Sequence, residues 1–360
     1  METVNKNRNL TIDLIRIIAC VMVVVVHIGQ IYVVSDYTSI GAKGVQLFFV
    51  VSGFFAMQTC ERLHNNSKEN WVKEYYKNRI KRIVPLYFWT LCLDYLYCIY
   101  EYHYLKGVPF CEIFNLFDGV CGVKYLRYFF FLQSFIPSDD FLLWNNRFGL
   151  WTMSAFAFFY LLAPWIYKGL KKAKIVFVCT VLLLLLNHTM ISYTLKFVNF
   201  FGTFNNAEQF SYNHPINVLC VFLLGVLVWK LKDSNLKYAA GILALFVVIC
   251  FKMSVFGFEL LFAVLLLLAL DFRLNDYISV KFSKIIIYFS DMSFCIYLTH
   301  TILYFYLIAN GKFGIASRKG FVLGCVGSIL LSWINYVIFH KVCSIYKKIK
   351  SKRKLSCTGA

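Results

Sequence analysis

The chain has 360 residues, of which 60% are hydrophobic, 19% aromatic and only 15% charged. A water-soluble chain is about half apolar and about a quarter charged, so this composition excludes a cytosolic enzyme, a secreted disulfide scaffold and a disordered tail. The formal charge of +19 raises the question of nucleic-acid binding, and the placement of the basic residues answers it.

A helix needs about 20 mostly apolar residues to cross the hydrocarbon core of a bilayer. Runs of this kind predict about ten transmembrane helices, near 10–34, 45–60, 83–101, 148–167, 175–191, 216–230, 238–252, 254–271, 285–308 and 320–341. The second, sixth and seventh are short, and the seventh and eighth nearly meet at Lys252–Ser254. With the N-terminus cytoplasmic, the inner segments hold 26 of the 37 Lys and Arg and the outer ones 10. That is the asymmetry of the positive-inside rule. The expected fold is an all-α, polytopic membrane helical bundle with N- and C-termini cytoplasmic. It comprises an integral-membrane domain over 1–345 and a basic cytoplasmic tail over 346–360.

The run Lys347, Lys348, Lys350, Lys352, Arg353, Lys354 directly follows a spanning helix and suits anionic lipid head groups. No separate basic domain is left for a nucleic acid. The first span is longer than a signal h-region and no small-residue cleavage pattern follows, so it is expected to stay in the protein. The thirteen cysteines contain no C-x-x-C pair and read as small apolar fillers, with no metal site or disulfide framework expected. The segment Tyr102–Arg147 is too aromatic for a solvated loop and too interrupted for a span. It is expected to dip into the interface or to cover the outer mouth of the bundle.

Charge inside a spanning helix is costly and marks function. The first span carries Asp13, Arg16 and His27. Eleven residues turn a helix by about 1100°, roughly 20° beyond three turns, so Arg16 and His27 share a face about 16 Å apart. Asp13 lies one turn below Arg16 and within pairing reach. Gly44 and Gly53 in the second span permit close helix approach, and Ser52 carries a hydroxyl that can be buried there. The stretch Lys73–Arg82 reads as a basic amphipathic helix ahead of the third span, with Pro85 near that span's start. Arg79 and Arg82 are neighbours on one face, a fork suited to phosphate. His300 in the ninth span sits at a depth similar to His27. Asp94 and Glu259 fall in outer halves of spans, and Asp291 in an inner half.

These residues resemble a family pattern along essentially the whole chain. Asp13-Leu14-Ile15-Arg16…His27 is similar to the Arg-x10-His of the acyltransferase-3 family of integral-membrane acyltransferases. Gly44–Phe54 resembles its G-V-x-L-F-F-x-x-S-G-F, Arg79–Tyr87 its R-x-x-R-I-x-P-x-Y, Leu150–Ser154 its L-W-[ST]-L-S, and Ser293–His300 its S-x-x-I-Y-L-x-H. Each piece alone is weak, but five in order are specific. The resemblance implies a membrane-bound O-acyltransferase of the plasma (bacterial inner) membrane. It would move an acetyl or short acyl group from acyl-CoA to a hydroxyl of a cell-surface or lipid-linked glycan. His27 would be the catalytic base with Arg16 and Asp13 beside it, and Arg79 and Arg82 would hold the donor phosphates. Ser52, Trp151, Ser154, Tyr297 and His300 would line or support the substrate site. The implied partners are acyl-CoA as donor substrate, a glycan or glycolipid acceptor and the lipid bilayer, with no permanently bound cofactor and no metal. Many members carry acidic residues after L-W-[ST]-L-S, where this chain has Ala155-Phe156-Ala157-Phe158. The rival expectation is a proton-coupled transporter or flippase of a glycan precursor, since buried Asp, Arg and His also suit a carrier. Carriers tend to show repeats and Gly/Pro-broken helices, and this chain has five prolines and no clear repeat.

Overall fold

The computed structural model describes residues 8–32, 41, 43–66, 69–112, 127–135, 150–170, 172–200, 210–211, 213–250 and 257–357. Among them every regular element is helical. The main α-helices are α1 (Leu10–Ile31), α2 (Gly44–Asn66), α3 (Trp71–Tyr100), α4 (Trp151–Gly169), α5 (Ala173–Phe200) and α6 (Leu219–Leu231). They continue as α7 (Leu236–Cys250), α8 (Gly257–Asp271), α9 (Val280–Thr299), α10 (Thr301–Ala309) and α11 (Arg318–Cys357). Each apolar run read from the sequence falls on one of these helices, the ninth being shared by α9 and α10.

Among the described residues, four stretches are long and apolar enough to cross a bilayer: Leu10–Ile31, Trp71–Leu105, Val280–Ala309 and Arg318–Ile349. The two halves of α5, bent by 54°, make a fifth when taken together. The outward faces agree with a lipid setting: Leu185 of α5, Ile249 of α7 and Leu323 of α11 are 73%, 74% and 71% exposed. Soluble monomers rarely leave apolar surface of that extent uncovered.

Two boundaries differ from the sequence reading. The second apolar run is short, but its helix is not: α2 runs on to Asn66 through the polar Glu61–Asn66. The basic amphipathic stretch and the third span form one helix, α3, with Pro85 in its interior. Proline removes one backbone donor and one bond from the ladder, and α3 extends far enough on both sides to continue through it.

The helices are held together by small residues and by polar staples. α2 is central, packing on α1, α3, α4, α6 and α8. A Cβ on Gly53 would lie 2.1 Å from the carbonyl oxygen of Phe222, and one on Gly225 would lie 1.9 Å from that of Val50. The α2–α6 crossing therefore exists only because both positions lack a side chain, the close approach small residues give membrane helices. Gly44 does the same against α1, where an added Cβ would be 2.6 Å from Ala19 O. Asn9 caps α1 by accepting from Thr11 N–H at 2.9 Å, an N-cap bond. The start of α1 is stapled to the turn after α8. Asn9 Nδ2 donates to Ala269 O, Leu10 N–H to Asn275 Oδ1, and Asn275 Nδ2 to Arg8 O.

The aromatic segment Tyr102–Arg147 is described only in part, and Phe114, Phe117 and Tyr125 lie outside the described residues. Residues 127–135 pack across the middle of α3 and the N-terminal end of α4. Tyr87 Oη donates to Tyr128 O at 2.7 Å, Gln133 Nε2 to Leu150 O at 2.8 Å, and Phe131 stacks on Tyr87 at 4.5 Å. Phe129 and Phe130 remain exposed. α3 itself ends in a π-helical turn, Glu101–Leu105.

Candidate active site

α1 packs along α9, and its inward face carries two polar centres. The first lies near its N-terminal end. Arg16 Nη1 donates to Ser290 Oγ at 3.1 Å and Nη2 to Ser293 Oγ at 3.4 Å. Asp13, one turn below, accepts Ser290 O–H at 2.6 Å and stands 3.7 Å from Arg16 Nη1. Arg8 closes the cluster with bonds of 2.9 Å to both Asp13 and Asp291. Arg8 precedes the span. Burial works against its charge, but the two carboxylates outweigh that and hold the guanidinium above the ordinary arginine range. With Arg8 satisfying Asp13, the Arg16 side chain, only 14% exposed, keeps two neutral hydroxyls as its hydrogen-bond acceptors. Arg82 of α3 stands close enough for its positive charge to act on Arg16. The cluster thus sets Arg8 and Arg16 against Asp13 and Asp291, with Arg82 exposed beside it.

Three turns along, His27 faces the junction of α9 and α10. Its ring lies 5.1 Å from that of His300 and 5.6 Å, edge-on, from that of Tyr304. His300 is buried and occupies the one-residue interruption between the two helices. Its Nδ1 is 2.7 Å from Tyr297 O. Tyr297 Oη in turn is 2.6 Å from Thr152 Oγ1 of α4, and its ring is edge-on to Phe48 of α2. α1, α9 and α10 thus meet at the two imidazoles, with α4 and α2 braced against Tyr297 behind them.

The Arg pair is divided between neighbours. Arg79 is half-buried against α2 and α4. It donates to Thr59 Oγ1 at 2.9 Å and to Phe55 O at 3.3 Å, and lies over the rings of Tyr75 at 5.2 Å and Tyr160 at 4.8 Å. Its Nε is buried without an acceptor. Arg82 is exposed. Ser154 accepts the N–H of Ser134 at 3.2 Å, and Trp151 contributes its carbonyl to Ser134 Oγ at 3.0 Å and its ring to Phe49. Both residues of the fourth span thereby anchor the 127–135 strap. Ser52 is half-buried on α2. Phe156, where many members are acidic, is edge-on to Phe49 at 5.0 Å and stacked on Tyr160.

The residue-by-residue reading missed Arg8, Ser290, Thr152 and Tyr304. Ser290 and Ser293 did carry a signal, since hydroxyls three apart share a helix face. Among the described residues no group of three or more His, Cys, Asp or Glu is placed to hold a metal ion, and the described cysteines are free.

Neither a curated protein nor a solved structure matches the chain. A family model described as an acyltransferase domain, acyltransferase 3, matches residues 9–337, which takes in α1 and its two polar centres, the arginines of α3 and the His300 junction. The chain belongs to the acyltransferase-3 family.

Proposed function

We propose that this membrane acyltransferase transfers an acetyl or short acyl group from acyl-CoA to a hydroxyl of a cell-surface or lipid-linked glycan, with both termini cytoplasmic in the plasma membrane. The observation that carries the reading is the inward face of α1, with a buried guanidinium at one end and an imidazole about 16 Å farther along, both turned toward α9. Arg79 and Arg82 hold the donor phosphates at the basic end, as charge-assisted bonds from guanidinium groups do. The pantetheine arm then runs beside Arg16 toward His27. His27 takes the proton of the acceptor hydroxyl as its oxygen attacks the thioester carbon. The tetrahedral oxyanion collapses, the C–S bond breaks, and the proton passes to the leaving thiolate. The excess of basic residues in the inner segments supports the topology.

The test is His27→Ala, assayed in membranes with radiolabelled acetyl-CoA and by the mass of the surface glycan. Transfer is expected to disappear, with the glycan lighter by one acetyl group per site while the protein still inserts at wild-type level. Full acylation in that variant sinks the reading. Loss of glycan export with acylation of the internal precursor intact favours the carrier.

A further inference from the structure

His300 carries an unspent hydrogen-bonding atom. Its Nδ1 faces the carbonyl of Tyr297 at 2.7 Å, and a carbonyl only accepts. Nδ1 must therefore bear the hydrogen, which leaves Nε2 as a lone-pair acceptor. That Nε2 is buried and has no partner, in a residue only 1% exposed. A buried acceptor without a donor is costly, and its persistence calls for an explanation in function. The nearest ring is His27, with centroids 5.1 Å apart and planes at 38°. A linear N–H···N bond of about 2.9 Å between two imidazoles puts their centroids about 5.2 Å apart, allowing about 1.15 Å from centroid to nitrogen on each side. The two centroids already stand at that separation, while no bond between the rings has yet formed.

We propose that His300 Nε2 receives the N–H of His27 once His27 has taken the acceptor's proton, so that the pair shares one proton during acyl transfer. This rests on His27 being the base. The step balances: the hydroxyl O–H bond breaks, one His27 nitrogen gains that proton while the other passes its own across to Nε2, and the reverse shift later delivers the proton from His27 to the CoA thiolate. His300 touches neither donor nor acceptor and is a positioning residue. Besides His300, the titratable group facing the His27 ring among the described residues is Tyr304 of α10. Lys43, ahead of α2, is paired with Glu259 of α8, Asp291 of α9 is held by Arg8, and Arg318 and Lys319 of α11 are exposed. Among the described residues, no charged group therefore replaces His300 as recipient.

The experiment uses the full-length protein and two substitutions. His300→Asn keeps a donor for Tyr297 O and removes the acceptor at the Nε2 position, whereas His300→Gln carries an acceptor to that position. With acetyl-CoA as donor and native membranes supplying the acceptor, His300→Asn should lower kcat at least tenfold with KM for acetyl-CoA changed less than twofold. His300→Gln should recover most of that loss. Equal activity of the two variants, whether both high or both low, overturns the proposal. The second readout is independent of turnover. In protein carrying isotope-labelled histidine, NMR on acidification should show one proton taken up by the pair with coupling between a His27 and a His300 ring nitrogen. Absence of that coupling overturns the shared proton even if transfer is normal. Coupling in a protein that transfers no acetyl group from acetyl-CoA would instead refute the acyl-CoA reading and leave the pair standing.

Discussion

Arg79 and Arg82 stand three residues apart on α3, yet the fold gives them different surroundings. Arg79 is wedged between the Tyr75 and Tyr160 rings and bonded to α2, while Arg82 is exposed and acts on Arg16. Lys81 between them is exposed as well, so it serves as the internal control for simple charge. Arg79→Ala or Arg82→Ala is expected to raise KM for acetyl-CoA about tenfold, the scale of one lost bond to a charged group, and Lys81→Ala to leave it near wild type. Initial rates over a range of acetyl-CoA concentrations measure this. Equal effects at all three positions would mean that the stretch only meets lipid phosphates. The spacing of the two arginines was legible in the sequence. The aromatic walls around Arg79 were not, because Tyr160 comes from a helix about eighty residues away.

Helix crossings depend on what the small residues meet. Gly53→Ala drives a Cβ to 2.1 Å from the Phe222 carbonyl oxygen, and a backbone atom yields only if the whole helix shifts. The expected cost is about 1–3 kcal/mol, the range for overpacking a tight contact, read as a lower Tm in detergent. Gly241→Ala in α7 is the control, with nothing within 4 Å of its added Cβ. It should hold or slightly raise Tm, since alanine suits a helix interior better than glycine. A fall equal to that of Gly53→Ala would discount the crossing. The glycine pattern in α2 announced a close approach. Its partner, α6, could not be read from it, because many apolar runs in this chain would accept such a contact.

Across the bundle, buried polar pairs fix which helices meet. Lys43 reaches Glu259 at the start of α8 at 3.6 Å, with the carboxylate side chain 3% and the ammonium side chain 28% exposed. Removing one partner of a fully buried pair costs about 3–5 kcal/mol, and the partial exposure of Lys43 screens this to about 1–2 kcal/mol. Lys43→Ala is therefore expected to lower Tm, and Glu259→Gln added to it to recover part of the loss. A double variant less stable than Lys43→Ala alone would show that Glu259 is held by other groups. The Arg8 clasp acts in the same way at the opposite end of the bundle, joining the residue before α1 to Asp291 of α9.

Composition and run length were enough to establish a helical membrane protein, because spanning hydrocarbon demands long apolar stretches whatever surrounds them. Helical periodicity also placed Arg16 and His27 on one face, since both lie on the same rigid helix. Which helix that face meets, the bonds from Arg16 to Ser290 and Ser293, the ring of His300 beside His27 and the orphaned Nε2 arise between segments more than 270 residues apart. Local patterning carries no information about such contacts. They are set by the packing of small residues and the pairing of buried charge, which only the assembled bundle decides.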